Sequence, residues 1–519
     1  MYVAHLFKFT AMIEVGSGEL GLEDFRKLLS KATQVSLHEN VRTRVEASQK
    51  FLADFSNDKI IYGINTGFGP MAQYAIDADK QTALQYNLIR SHCSGTGDTI
   101  PEADVRAMML ARLNTLSLGG SGVAYELLEL IADLINKRIS PVIYSHGGVG
   151  ASGDLVQLAH LALCLIGEGQ VWYQGEIEEA QDVFEQNNIK PFEIKGREGL
   201  ALMNGTSAMS GIGMLNIIHA RKLIDLSLAA SCMLNEIVES FDDHFSQELN
   251  GAKRHRGQQS VAANMRMHLA DSQRIKSRKE FYSRGANGDA IKEKVQEFYS
   301  LRCVPQILGP ILEAIDNAQS ILEQEVNSVN DNPVIDWEGE NVFHGGNFHG
   351  DYVSFEMDKL RLGITKLSML ADRQLNYVLN DKLNERLPPF VNRGELGFNF
   401  GMQGVQFTST STTAENQTLS NPMYVHSIQS NNDNQDIVSM GTNAALLTQR
   451  VVNNTFEVMA IELTALAEAI DCLSIKDQLS SASQGLYNMV RETIEGGAED
   501  RVLSGKLRGL ASSLKSQDQ

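Results

Sequence analysis

The tripeptide Ala151-Ser152-Gly153, set in the run Gly147-Gly148-Val149-Gly150-Ala151-Ser152-Gly153-Asp154, can turn its own backbone into an electrophile. In a sharp turn the Gly153 nitrogen attacks the Ala151 carbonyl, and loss of water from the ring and from the Ser152 side chain leaves a methylidene on an imidazolone. Each residue type has a part. Glycine is an unhindered nucleophile that tolerates unusual dihedrals, serine dehydrates to an alkene, and alanine does not crowd the ring. The run has a second reading, because Gly148-Val149-Gly150-Ala151-Ser152-Gly153 also satisfies Gly-x-Gly-x-x-Gly and follows the apolar Pro141-Val142-Ile143-Tyr144. On these residues alone an ordinary glycine turn or a phosphate loop stays open. Residues 103–139 and 155–166 read as helices, unlike the strand and helix alternation of a dinucleotide domain. No Lys-Ser or Lys-Thr follows the glycines, as a Walker loop requires.

Further blocks make the chain similar to a known family, the histidine and aromatic amino-acid ammonia-lyases that carry a methylidene-imidazolone prosthetic group. They are Tyr62-Gly63-Ile64-Asn65-Thr66-Gly67-Phe68-Gly69, Ser91-His92, Gly150-Ala151-Ser152-Gly153-Asp154-Leu155, Asn204-Gly205-Thr206, Tyr299-Ser300-Leu301-Arg302-Cys303, Gly345-Gly346-Asn347-Phe348-His349 and Asn434-Gln435-Asp436. The resemblance runs over nearly the whole chain. It implies a mainly α, long-helix bundle of the fumarase and aspartase superfamily, with a smaller N-terminal region carrying the active-site loop and the prosthetic group. It also implies a homotetramer with active sites shared between subunits, and 4-methylideneimidazol-5-one formed autocatalytically from Ala151, Ser152 and Gly153 as the sole cofactor.

The reaction implied is elimination of ammonia from an α-amino acid, which needs a better leaving group on one side and a base for the β-proton on the other. Tyr62 is the candidate base. An ordinary tyrosine titrates near pH ~10, so cationic or hydrogen-bonding neighbours would be needed near neutrality. Arg302 is the candidate clamp for the substrate carboxylate, since its planar fork makes two charge-assisted hydrogen bonds. Tyr299 lies one helical turn earlier. By resemblance Tyr299 stands near the prosthetic group and Gln296 matches a polar site position. Asn204 supports the prosthetic group or substrate, Phe348 packs beside it, and Glu415 orients the amine or tunes proton transfer.

Ser91, His92 and Gln435 are expected in the pocket for the substrate ring. A Ser-His pair resembles the histidine-selective form. Asn434-Gln435-Asp436-Ile437-Val438-Ser439-Met440-Gly441 resembles the aromatic lyases instead, and the chain as a whole is similar to the Flavobacterium-type tyrosine ammonia-lyases. The expected reaction is therefore L-tyrosine to p-coumarate. L-histidine to urocanate is the alternative, followed by an aromatic 2,3-aminomutase, which keeps the prosthetic group and returns the amine to the neighbouring carbon. Intact Tyr62, Ser152 and Arg302 speak against a catalytically silent structural member.

Composition suits a cytoplasmic enzyme: 519 residues, 43% hydrophobic and 21% charged, are enough for a large core. A formal charge of −19 argues against nucleic acid or an anionic membrane as partner. Five scattered cysteines read as reduced thiols. The histidines lack a zinc pattern, with His344 and His349 read as structural, so no metal is expected. Residues 1–11 read as a variable extension without the features of a signal peptide, 12–205 as the region carrying the Tyr62 loop and the tripeptide, and 206–519 as the long-helix region. The elements that must position the site follow from periodicity. Helical spacing covers 23–55, 84–91 and 102–116, with a short strand at 59–62. A helix is expected to begin directly after the tripeptide, its positive dipole end toward the methylidene. Long amphipathic helices are expected at 210–241, 310–329, 353–387 and 443–473, and 272–289 reads as a mobile connection.

Overall fold

The computed structural model describes residues 11–57, 59–282 and 294–516; all but Ala11 of the 1–11 extension, and 283–289 of the connection, lie outside them. The chain is mainly helical. Strands are short and sparse, beginning with β1 (Met12–Val15) paired in parallel with β2 (Gln34–Leu37). The helices that bear on the site are α1 (Gln81–His92), α2 (Glu102–Ser117), α3 (Leu155–Leu165), α4 (Glu198–Met203), α5 (Ser207–Val238), α6 (Val304–Val326), α7 (Asp351–Leu379), α8 (Gln403–Leu419) and α9 (Gly441–Leu473). With 33 residues, α9 is about 50 Å long. No helix among the described residues is long and apolar enough to cross a membrane.

The chain divides into two compact units. The first takes the chain up to Ile218 together with Ala318–Asp358 and Pro422–Thr448; the second takes His219–Asn317, Lys359–Asn421 and the chain from Gln449. The N-terminal region is thus joined in its unit by two segments from far along the sequence. Within the first unit α2 is the central rod, buried at every residue from Asp104 to Ser117. Its apolar residues accordingly form no one-sided stripe, and several of its buried polar side chains are tied to backbone: Asn114 donates to Val326 O (2.8 Å) and Arg112 donates to Asn204 O (2.8 Å). Beside it Arg197 and Asp331, both with fully buried side chains, form a two-pronged ion pair at 2.9 and 2.8 Å. Arg197 also donates to Ser121 O and Asn332 O. In the second unit Glu468 is shared by Arg393, Arg491 and Arg501.

Several expected elements are corrected. Residues 23–55 are not one helix: Leu22–Leu28 and Glu39–Phe55 are separated by β2, whose Val35 is buried and donates its N–H to Asn136. Residues 59–62 do not form a strand, because the Asn65 side chain accepts from Ile61 N (2.9 Å) and donates to Lys59 O (2.7 Å), occupying the groups a ladder would need. The helix expected to Leu387 ends at Leu379, where Asn380 caps a separate turn. Pro310 lies inside α6, which begins at Val304.

The Arg197–Asp331 pair gives a direct test of the frame. Asp331→Asn leaves an uncompensated buried guanidinium, so thermal unfolding should show a stability loss of about 3–5 kcal/mol. A melting temperature equal to that of the wild type would show that the pair carries no such weight.

Candidate active site

A cavity of about 510 Å³ opens in the first unit. Tyr62, Ser91, His92, Ser152, Asn204, Phe348 and Gln435 all line it.

Ala151 and Gly153 are buried and Ser152 is half-buried between them. Gly153 has φ +70°, and an added Cβ would collide with the carbonyl of Gly205, whose backbone it bridges. That carbonyl accepts the Asp154 N–H at 2.8 Å. Gly150 has φ +68° and no room either, its place being taken by Ser439, whose hydroxyl donates to Gly150 O at 2.9 Å. Left-handed backbone and close approach therefore require glycine on both sides of the Ala-Ser pair. Asn204 Nδ2 donates to Ser152 O (3.0 Å) and Gln435 Nε2 donates to Ser152 Oγ (2.9 Å). Asn204 Oδ1 is buried without a protein partner, an acceptor left for something else.

Asp154, the residue after the tripeptide, is where the starts of three helices meet. Helix α3 begins one residue beyond Asp154, as expected. The fully buried Asp154 carboxylate accepts from Met209 N at the start of α5 (2.9 Å) and from the Thr442 hydroxyl at the start of α9. Burial pushes its pKa up to about 6, against those hydrogen bonds, which pull it down.

Tyr62 is half-buried in a loop built on Gly63, whose φ is +77°. Gln85 of α1 donates to Gly63 O (3.0 Å) and accepts from Leu200 N of α4 (2.9 Å), fixing the loop to both helices. The Tyr62 hydroxyl accepts the Gly69 N–H at 3.0 Å, and its ring meets Phe68 edge-on. His344 Nε2 accepts the Tyr62 N–H at 3.3 Å, a structural part for that histidine.

Opposite stands one face of α1, contributing Leu84, Asn87, Leu88, Ser91 and His92. His92 Nδ1 lies 2.9 Å from Leu88 O. Ser91 Oγ lies 3.1 Å from the same nitrogen. A carbonyl only accepts, so the tautomer with its proton on Nδ1 is the one that donates to Leu88 O, and in that tautomer Nε2 is an acceptor. Asn87 escaped the sequence reading although its place one turn before Ser91 was a usable signal; Asn332 and Asn431, which also line the cavity, carried none.

Four expected site residues belong to the second unit and do not line this cavity: Gln296, Tyr299, Arg302 and Glu415. Tyr299–Arg302 is a single helical turn with the guanidinium 4.9 Å from the Tyr299 ring centre, and Gln296 and Tyr299 are exposed. Glu415 on α8 accepts from Arg450 (3.1 Å) and Asn454 (3.0 Å). No lysine or arginine is among the described residues lining the cavity.

The model of the aromatic amino acid lyase family matches residues 20–492. An MIO-dependent tyrosine 2,3-aminomutase of Streptomyces globisporus is 36% identical over 97% of this chain and 94% of its own. A crystal structure of tyrosine aminomutase from that organism superposes with a TM-score of 0.93, covering 97% of each chain at 35% identity. A tyrosine ammonia-lyase of Cupriavidus metallidurans is 37% identical over 88% of this chain and 87% of its own. A histidine ammonia-lyase of Bacillus subtilis is 36% identical over 98% and 97%.

Asp154 gives a pH signature. With its pKa raised to about 6, the folded state keeps a proton that the unfolded state releases near pH ~4. Its contribution to stability is full below that pH and is lost as pH rises to about 6. Asp154→Asn should remove that part of the decline when urea unfolding is followed from pH ~4 to ~7; an unchanged pH dependence would contradict the assignment.

Proposed function

This chain belongs to the aromatic amino acid lyase family, and on that premise we propose that it eliminates ammonia from L-tyrosine to give p-coumarate. The prosthetic group of the family, 4-methylideneimidazol-5-one formed autocatalytically, supplies the electrophilic carbon that makes the substrate amine a better leaving group. Ala151, Ser152 and Gly153 would form it, and their surroundings fit: two glycines in left-handed turns, amide donors on the Ser152 carbonyl and hydroxyl, and the partnerless Asn204 Oδ1.

Tyr62 takes the β-proton. Its oxygen already accepts the Gly69 N–H, a bond that strengthens when the acceptor is charged. Asn204 and Gln435 hold the tripeptide in register, and Phe348 closes the cavity beside it.

The observation that carries the substrate reading is His92 on the cavity wall with its Nδ1 beside Leu88 O. An Nε2 acceptor matches a phenol O–H, while a bare phenyl ring would leave it unpaired at a cost of about 1–3 kcal/mol. An imidazole N–H matches it as well, which keeps L-histidine as the second reading. The aromatic-type run Asn434–Gly441 favours tyrosine.

The substrate carboxylate needs a cation that the cavity lining does not hold. Arg302 provides it from a neighbouring copy in a homotetramer, bringing Tyr299 and Gln296 with it, and Glu415 orients the amine.

Three measurements test this. Purified protein given L-tyrosine or L-histidine should release mainly p-coumarate; urocanate would replace tyrosine by histidine, and accumulating β-tyrosine would make the enzyme an aminomutase. Intact mass should lie two waters below the sequence mass, with Ser152→Ala restoring the unmodified mass and abolishing turnover, whereas Tyr62→Phe should lower kcat by about 10²–10⁴. Co-expressed Tyr62→Phe and Arg302→Ala chains should regain activity that neither has alone; no recovery would place both residues in a site within one chain.

A further inference from the structure

Residues 430–435 form a small closed loop. Ser430 and Gln435 exchange backbone hydrogen bonds at 3.2 and 3.3 Å, and the Ser430 hydroxyl donates to Gln435 Oε1 at 3.2 Å. Between them Asn431, Asn432 and Asp433 are all left-handed, with φ of 56°, 52° and 58°. Three consecutive non-glycine residues in that region crowd each Cβ against the following carbonyl. Asn and Asp are the types that tolerate it best. None of the three side chains is buried, so core packing is not what holds the turn. Strain kept over three residues points to work done outside the loop.

Both flanks of the loop reach the site. Through Gln435 it donates to Ser152 Oγ at 2.9 Å. Through Asn431 it presses on the Tyr62 loop: a Cβ built on Gly69 would stand only 2.7 Å from Asn431 Nδ2 and 3.4 Å from its Oδ1. The Asn431 amide therefore lies on the face of Gly69, whose N–H donates to the Tyr62 hydroxyl at 3.0 Å. Gly69 is itself left-handed, with φ +53°, and the space a side chain there would need is taken by the Asn431 amide. A right-handed or extended backbone at 431–433 would carry the amide away from this face.

We propose that Asn431 is a positioning residue for Tyr62: the left-handed turn sets its amide against Gly69 and so keeps the Gly69 N–H on the phenol oxygen. This rests on the reading of Tyr62 as the proton-abstracting group. The same loop thereby sets the spacing between the base and the tripeptide, with Asn431 on one and Gln435 on the other.

Asn431→Gly is the discriminating variant, because glycine accepts the left-handed backbone without strain and removes only the amide. Melting temperature should stay at the wild-type value. Hydrogen exchange measured by mass spectrometry should quicken over residues 62–72. With L-tyrosine, kcat should fall about tenfold or more, toward the ~100-fold that a misplacement of 1 Å costs, while KM changes little. In a Tyr62→Phe background the same substitution should cause no further loss. Wild-type exchange and wild-type kcat in Asn431→Gly would overturn the proposal, leaving the turn a loop closure only. If Tyr62→Phe itself turned over normally, the base assignment would fail instead, and the exchange measurement would still decide whether Asn431 holds Gly69.

Discussion

The contact on which the site depends is the meeting of two backbones, Gly153 against Gly205, with no space for a side chain between them. The Gly205 carbonyl accepts the Asp154 N–H, so the tripeptide ends where α3 must begin. Asn204, one residue earlier, is then bound to present its amide to the Ser152 carbonyl, and Arg112 secures that position by donating to the Asn204 carbonyl from the buried rod α2. Ala151 completes the arrangement by packing on Val438 and Met440, in the run that follows Gln435 out of the cavity wall. One steric constraint thus fixes the electrophile precursor, its hydrogen-bond partners and the helix that starts beneath it.

Around this contact the polar groups are buried but mostly partnered, and the exceptions are informative. Asp154 has Met209 and Thr442, and Arg197 has Asp331 and two carbonyls. Asn204, which lines the cavity, has a buried Oδ1 without a hydrogen-bond partner. Among these exceptions it is the buried acceptor on the residue whose amide already holds the Ser152 carbonyl.

What was legible in sequence follows the same division. Ala151-Ser152-Gly153 and the Tyr62 loop could be read because their residue types define the chemistry and their glycines define the backbone. The long helices were legible from apolar periodicity, but α8 was not: its buried face is Val405, Ser409, Thr413 and Asn416, small and polar rather than apolar, with Ser409 donating to Asp372. β2 was hidden because its ladder partner precedes it across a whole helix, and a strand of four residues has little pattern of its own. The substrate wall was only half legible. Ser91 and His92 stood out, whereas Asn332 and Asn431 reach the cavity through folding alone. Arg302, proposed as the carboxylate clamp, belongs to a different unit from the cavity, which no spacing in the chain expresses.

The first unit also has a temporal order written into it. Thr442 reaches Asp154 across 288 residues and Gln435 reaches Ser152 across 283, so neither bond exists while the intervening chain is still being made. At about 5–20 residues per second that interval is on the order of 15–60 s on the ribosome. The bonds that Gln435 and Thr442 make to Ser152 and Asp154 are thus added last, after the Gly153–Gly205 contact has become available. Side chains that hold the electrophile precursor come from a part of the sequence made long after the tripeptide itself, so the site is a product of the folded chain and not of its local segment.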